Sequence, residues 1–296
     1  MPMHADEVAI RESTVRTLVD RQLPQWAGLP LRPLSAFGTD HKLFRLGEEL
    51  LVRMPVYAAS ADQAVSDATW LPRLAPHLPV AVPVPVALGD PDSSYPFPWS
   101  VVPWLPGQTV DESDVDPVRL ANDLADVVLA LRKIGTDAGP AKVGTARGAP
   151  LSPDWPVEQQ IDELADLLDV ERARAIWHAA LDAGPWTGPP VWIHGDLLEG
   201  NLLAVDGELT AVIDFGALGV ADPAADVTPA WTLFDGAARR SFRERLAVDD
   251  ATWARARAWV MLPALSGVRY YAHSVPAFAR RARRHLEAVL ADPTLS

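Results

Sequence analysis

The sequence predicts an α+β protein of two lobes: a small N-terminal lobe with an antiparallel sheet and a larger, mainly helical C-terminal lobe. Three observations carry this. Short β-type runs crowd the first third of the 296 residues, a Pro- and Gly-punctuated break ("PWLPG") follows at 103–107, and helical periodicity dominates from about 117 onward. The lobes are expected at 1–103 and 108–296, with residues 104–107 as the hinge.

Each element has its own warrant. Residues 6–23 place Val8, Val15, Leu18 and Val19 near one helical face, with acids in the first turn. Leu43–Leu46 and Leu50–Met54 are short apolar runs around Gly47-Glu48-Glu49, which predicts a hairpin. Residues 61–74 read as a helix up to the break at Pro72, because the residue before a proline disfavours the α region. Pro79, Pro83 and Pro85 force the next segment into an extended connector or edge strand. Residues 99–103 form a strand that enters the hinge. Pro117 opens a helix with Leu120, Leu124, Val127, Val128 and Leu131 on one face. Residues 157–183 hold one or two helices, 191–216 read as strand, loop, strand, turn and strand, and 226–262 and 275–291 are helical again. No repeat of 20–50 residues is visible.

Composition narrows the function. The chain has 49% hydrophobic residues, ample for a core, and no apolar run of membrane-spanning length. Its start lacks a basic region followed by an apolar one, and it has no cysteine, so a cytoplasmic protein without disulfides or thiolate chemistry is expected. Net charge is −13, which disfavours nucleic-acid binding and suits a cationic small molecule.

The chemistry concentrates in "VWIHGDLLEGNLLAVDGELTAVIDFG", residues 191–216. Asp196 and Asn201 lie on a loop leaving a strand, and Asp214 ends another strand. Asp206-Gly207 is a strong two-residue turn signal, so the segment between Asn201 and Asp214 is expected to fold as a hairpin with its ends together. An amide oxygen and a carboxylate suit Mg2+, which takes few protein ligands when phosphates supply the rest. A further carboxylate, Asp196, can accept a proton from an attacking hydroxyl. Together they make a kit for phosphoryl transfer.

These motifs, "HGDLLEGN" and "VIDFG", resemble the catalytic loop and metal-binding motif of the aminoglycoside phosphotransferase family, relatives of the protein kinases. "ADPAADV" at 221–227 resembles a further segment of that family, with Ala221 in a glycine's place. The resemblance implies a protein-kinase-like fold and an ATP- and Mg2+-dependent O-phosphotransferase, with GTP as an alternative donor. Asp196 would be the catalytic base, and Asn201 and Asp214 the metal ligands. "SAFGTDHKLFRLG" looks like the family's nucleotide loop, so Ser35, Gly38 and Thr39 would contact phosphate. Arg53 stands where the family has its phosphate-anchoring Lys, and Asp67 where that Lys has its Glu partner. Backbone groups near Val102 and Trp104 would meet the adenine; Pro103 supplies no N–H.

Other residues read as structural. His194 braces its loop, and Asp222 and Asp226 cap a helix that begins near 224. Glu199 is either a solvated loop acid or one facing a cationic substrate. Trp231, Tyr270, Tyr271 and His273 fall where such kinases build their acceptor pocket. The acceptor is expected to be a small-molecule hydroxyl, an aminoglycoside or related antibiotic first, with choline-, sugar- and homoserine-like metabolites as alternatives. A non-catalytic nucleotide-binding pseudokinase is the competing class. Retention of Asp196, Asn201 and Asp214 together argues against it, and monomer and homodimer stay open.

Overall fold

The computed structural model describes residues 7–34, 40–270 and 276–292. The chain divides into two compact units: unit 1 comprises 1–108 with 210–216, and unit 2 comprises 109–209 with 217–296.

Unit 1 contains helix α1 (Glu12–Gln22), strands β1 (Leu31–Pro33), β2 (His41–Leu46) and β3 (Leu50–Pro55), helix α2 (Asp62–Leu74), and strands β4 (Ala87–Gly89) and β5 (Trp99–Pro103). The strands form one antiparallel sheet in the order β1-β2-β3-β5-β4. Strands β2 and β3 bury Phe44, Leu46, Val52 and Met54, alternate positions along each strand, while the end of β3 is buried on both faces. These join Val15, Leu18 and Val19 of α1 and Trp99 of β5 in one core. Removing that apolar surface from water is the main force holding the unit.

Three features of unit 1 depart from the expected elements. Residues 7–10 are not helical, because Val8 N–H donates to the Val56 carbonyl (2.7 Å) and α1 starts only at Glu12. Helix α2 runs through Pro72 to Leu74: Leu71 and Leu74 are fully buried, and Ala75 N–H still reaches the Leu71 carbonyl. Burial of two leucines outweighs the one helical donor that proline removes. Residues 210–216, expected in the C-terminal lobe, cluster with unit 1. The extended 79–85 connector holds them: Ala81 N–H donates to Thr210 O (2.9 Å), and Val212 N–H donates to Ala81 O (3.0 Å).

Two-residue strand β6 (Gln108–Thr109) lies at the boundary. Unit 2 then builds helices α3 (Pro117–Arg132), α4 (Val157–Asp162) and α5 (Val170–Asp182), and strands β7 (Val191–Ile193) and β8 (Leu202–Val205). Strand β9 (Glu208–Val212) starts in unit 2 and carries the chain into unit 1. Strand β10 (Gly219–Ala221) pairs antiparallel with β7, and helices α6 (Pro229–Thr232), α7 (Gly236–Leu246), α8 (Asp250–Tyr270) and α9 (Pro276–Leu290) follow.

Local chemistry sets several of these boundaries. Asp116 caps α3 by accepting Arg119 N–H (2.8 Å), with Pro117 in the first turn. Asp206 and Gly207 both have positive φ (51° and 77°), as the turn of a tight hairpin requires. The continuous helical stretch expected at 226–262 is instead three helices. It breaks before Gly236, and again at Ala247, which takes the left-handed conformation and donates back to Arg243 O and Glu244 O.

At the sheet edge, Gly89 of β4 faces Trp99 of β5, and a Cβ built on Gly89 would lie 1.8 Å from the indole ring. Gly89→Ala is therefore expected to destabilise the protein by about 1–3 kcal/mol through overpacking, read as a lower urea midpoint. An unchanged midpoint would show that the edge strand yields at no cost.

Candidate functional site

In unit 2 the loop after β7 is held from beneath by one carboxylate. Asp226 is 1% exposed and accepts His194 N–H through Oδ2 and Gly195 N–H through Oδ1, both at 2.7 Å. Burial pushes its pKa up, while His194, these two hydrogen bonds and Arg132 act in the opposite direction. Gly195 has φ of +80°, and a Cβ there would meet the Ala217 carbonyl oxygen at 2.8 Å. Only glycine fits, which explains why this loop reads His-Gly-Asp.

The turn delivers Asp196 to a partly exposed position, its side chain 36% accessible. His194 is fully buried and its Nδ1 accepts Asp196 N–H (3.1 Å), so the ring braces the loop as expected. Asn201 Nδ2 donates to the Asp196 carbonyl (2.9 Å) and to Asp196 Oδ2 (3.2 Å). The amide NH2 is thereby committed to Asp196, which leaves Asn201 Oδ1 as the atom suited to a cation. Arg147 approaches from the other side, donating through Nη1 to Gly195 O (2.8 Å) and lying 3.4 Å from Asp196 Oδ1.

Unit 1 assembles a second polar cluster. Arg53 of β3 is 7% exposed and donates through Nη1 to Oδ2 of Asp67 on α2 (2.9 Å). Asp67 is 1% exposed; burial pushes its pKa up to about 6, Arg53 pulls it down, and Asp214 pushes it up further. Arg53 Nη2 lies 3.6 Å from Asp214 Oδ1, which also accepts from Gln63 Nε2 (3.0 Å). Asp214 takes φ of +60°, a conformation a non-glycine residue adopts only under local constraint, and its side chain is half exposed. His41 of β2 lies close enough for burial, and then the Arg53 charge, to lower its pKa to about 3, with Asp214 partly offsetting.

The structure thus brings Asp196 and Asn201 together in unit 2, and Arg53, Asp67 and Asp214 together in unit 1. Among the described residues, no group of three or more His, Cys, Asp or Glu could hold a metal. Ser35, Gly38 and Thr39 of the expected nucleotide loop lie outside the described residues, as do Tyr271 and His273. Val102 is buried in β5, and Trp104 N–H donates to Glu49 O (2.7 Å). That is a correction to the hinge reading: the Trp104 amide is committed to the sheet. Trp231 is buried, donates its Nε1–H to Asp292 (2.7 Å) and packs on Trp253, so it belongs to the core.

Three residues escaped the sequence reading, and a fourth was given another role. Gln63 sits one helical turn before Asp67 on α2, a spacing that places both on one face. His41 and Arg147 carry no motif. Asp226 was read as a helix cap, but Asp222 does that work: its Oδ1 accepts Ala224 N–H (2.9 Å), and its carboxylate pairs with buried Arg255 (2.6 Å).

Comparison with known proteins adds to this geometry. Residues 31–259 match the model of a phosphotransferase enzyme family. The fold matches an APH-type enzyme in complex with GDP and kanamycin (19% identity, 94% of this chain and 98% of that one, TM-score 0.69). It also matches the GDP complex of a mutant aminoglycoside 2'-phosphotransferase (18%, 97% and 100%, TM-score 0.74). A third match is a macrolide 2'-phosphotransferase from Brachybacterium faecium (21%, 93% and 97%, TM-score 0.62). At such identities the likeness establishes a shared kinase-like α+β fold. No curated protein matches in sequence.

Two outcomes are expected from this geometry. Asp226→Ala leaves two buried N–H groups without acceptors and should cost about 1–3 kcal/mol for each, read by urea denaturation. His41 gives a pH signature. Between its ordinary 6.5 and about 3, the unfolded chain binds a proton that the folded unit refuses, so acidification through this window removes stability. Asp67 has the opposite sign: it is protonated up to about 6 in the folded unit, against 3.8 ordinarily, so its contribution grows as pH falls from 6. His41→Gln removes only the first effect. Its stability relative to the parent should rise by about 2 kcal/mol between pH 7 and pH 5, at about 1.4 kcal/mol per pKa unit. Parallel pH profiles for the two proteins would contradict the assignment.

Proposed function

Since this chain belongs to the phosphotransferase enzyme family, we propose that it moves the γ-phosphoryl group of ATP, with Mg2+, to a hydroxyl of a small molecule of the antibiotic type. The observation that carries the reading is the loop around Asp196. A partly exposed carboxylate is gripped by Asn201 Nδ2 and stands on a backbone fixed by Asp226, so it is preorganised without being covered.

Asp196 accepts a hydrogen bond from the acceptor hydroxyl and takes its proton as the new O–P bond forms and the bond to the leaving ADP breaks. Because that transition state is loose, orientation of the hydroxyl contributes as much as proton removal. Asn201 limits the rotation of the carboxylate, and His194 holds its main chain. Arg53 is the phosphate anchor. Asp67 aims its guanidinium through a buried ion pair and leaves Nη2 near Asp214. Arg keeps its charge at any working pH and binds phosphate through a planar fork, so the pair does the work of the family's Lys and Glu. Asn201 Oδ1 and the Asp214 carboxylate are the oxygens that would hold Mg2+, a donor set of the hard kind this ion prefers. When bound, Mg2+ would neutralise and align the nucleotide phosphates.

The acceptor class rests on the fold matches, which include enzymes named for aminoglycosides and for macrolides. A pseudokinase would keep the nucleotide cluster but has no need for an oriented, accessible Asp196.

Steady-state phosphate transfer from ATP, screened over aminoglycosides, macrolides, peptide antibiotics and simple amino alcohols, tests the reading. Asp196→Ala should lower kcat roughly a hundred- to ten-thousandfold. An unchanged rate would remove Asp196 from the mechanism. Asp214→Ala should abolish Mg2+-dependent ATP binding, measured by calorimetry with and without the metal. Tight binding of MgATP by that variant would reassign the metal ligand.

A further inference from the structure

A cavity of about 370 Å3 lies within unit 2, lined in part by Arg147, Trp155, Gln160, Trp259, Leu262 and Ser266. Its size suits a drug-sized ligand. The aromatic wall is braced: Trp155 stacks on Trp177 (centroids 6.3 Å, 21° between planes) and meets Trp259 edge-on (6.0 Å, 64°). Gln160 and Ser266 add a few polar groups. Among the described residues no Asp or Glu lines it, and its charge is that of Arg147. This same Arg147 donates to Gly195 O and approaches Asp196 Oδ1, so the cavity wall and the catalytic loop share a residue.

Although the whole chain is acidic, the acids of this loop have cationic neighbours. Net charge is −13, yet α9 brings Arg281 to Glu199 of the loop (3.8 Å), which matches the loop's spare acid with a cation. His285 of α9 is held neutral to about pH 4 by burial and by the nearby Arg281, Arg284 and Arg147. Next to the cavity, Glu163 is paired with Arg269. A polycation approaching Asp196 through this cavity would meet guanidinium groups and find these acids already paired, and like charges at close range are repulsive.

We propose that the cavity lined by Trp155, Trp259 and Arg147 is the acceptor pocket, and that it selects an uncharged, ring-bearing alcohol with an apolar body over a polycationic one. The proposal rests on the reading of Asp196 in the preceding subsection. Trp155 and Trp259 supply flat apolar walls for the ring, and Gln160 and Ser266 orient its polar edge. Arg147 is the specificity-determining residue: it holds the hydroxyl end near Asp196 and excludes ammonium groups.

The test is a ligand-observed NMR titration with two probes, naphthylethanol as the uncharged ring-bearing alcohol and kanamycin as the polycation. The parent protein should bind naphthylethanol at least about tenfold more tightly than kanamycin, a difference of about 1.4 kcal/mol. Trp155→Ala should weaken naphthylethanol by a similar factor. Ser266→Trp, which blocks the cavity from an exposed helix position without removing core, should do the same. Arg147→Glu should shift the preference towards kanamycin by about tenfold. Kanamycin binding as tight as naphthylethanol, or naphthylethanol binding that survives Ser266→Trp, would overturn the proposal. Phosphate transfer is read separately: binding without transfer would strike the functional reading and leave the pocket assignment standing.

Discussion

The carboxylate of Asp226 accepts the N–H groups of His194 and Gly195, and the loop that carries Asp196 depends on that pairing. A charged group so deeply buried is costly unless its lone pairs are used. Here they are used on backbone donors that no strand partner could serve, because Gly195 turns the chain at positive φ. The turn ejects Asp196 from the β7 strand line towards solvent, and His194 remains beneath it as a brace. One buried acid thus fixes the conformation that leaves another acid accessible.

Unit 1 solves a related problem with charge. Arg53 and Asp67 would each be expensive to bury alone, and their pairing offsets part of that cost. The raised pKa of Asp67 shows that desolvation outweighs the attraction of Arg53. Such a pair is weak as a source of stability, and its value lies in orientation: it points a permanent cation in a fixed direction. Asp214 is kept near that cation by Gln63 and by a strained backbone, held in place where the 210–216 segment pairs with Ala81.

Charge in this chain has to be read locally. The acidic composition suggested a cationic substrate, and the immediate surroundings of the Asp196 loop add Arg147, which also lines an aromatic-walled cavity, and Arg281, which pairs with Glu199. Acids that lie far from a site are screened by salt and solvent, whereas contacts within a few ångströms are not. Net charge therefore speaks to solubility, and the nearest side chains speak to selectivity.

Much of this was legible in one dimension. The short apolar runs of β2 and β3, the Asp206-Gly207 turn, the Pro117 start of α3 and the spacing of Asp196, Asn201 and Asp214 all express local rules of backbone and side-chain geometry, which act over a few residues. Resemblance to a family, and not a local rule, pointed to Arg53 and Asp67. Local rules failed where distant burial overrides local preference, as in the turn of α2 beyond Pro72, the extended 7–10 segment and the transfer of 210–216 to unit 1. They were silent on Arg147, His41 and the bracing role of Asp226, since nothing near these residues in the chain marks them. The sequence by itself determined the local turns and the order in which the chain presents Asp196, Asn201 and Asp214. Only the tertiary structure decided which groups hold those residues in place and what charge surrounds them, because hydrogen bonding, desolvation and Coulomb interactions depend on distance in space and not on separation along the chain.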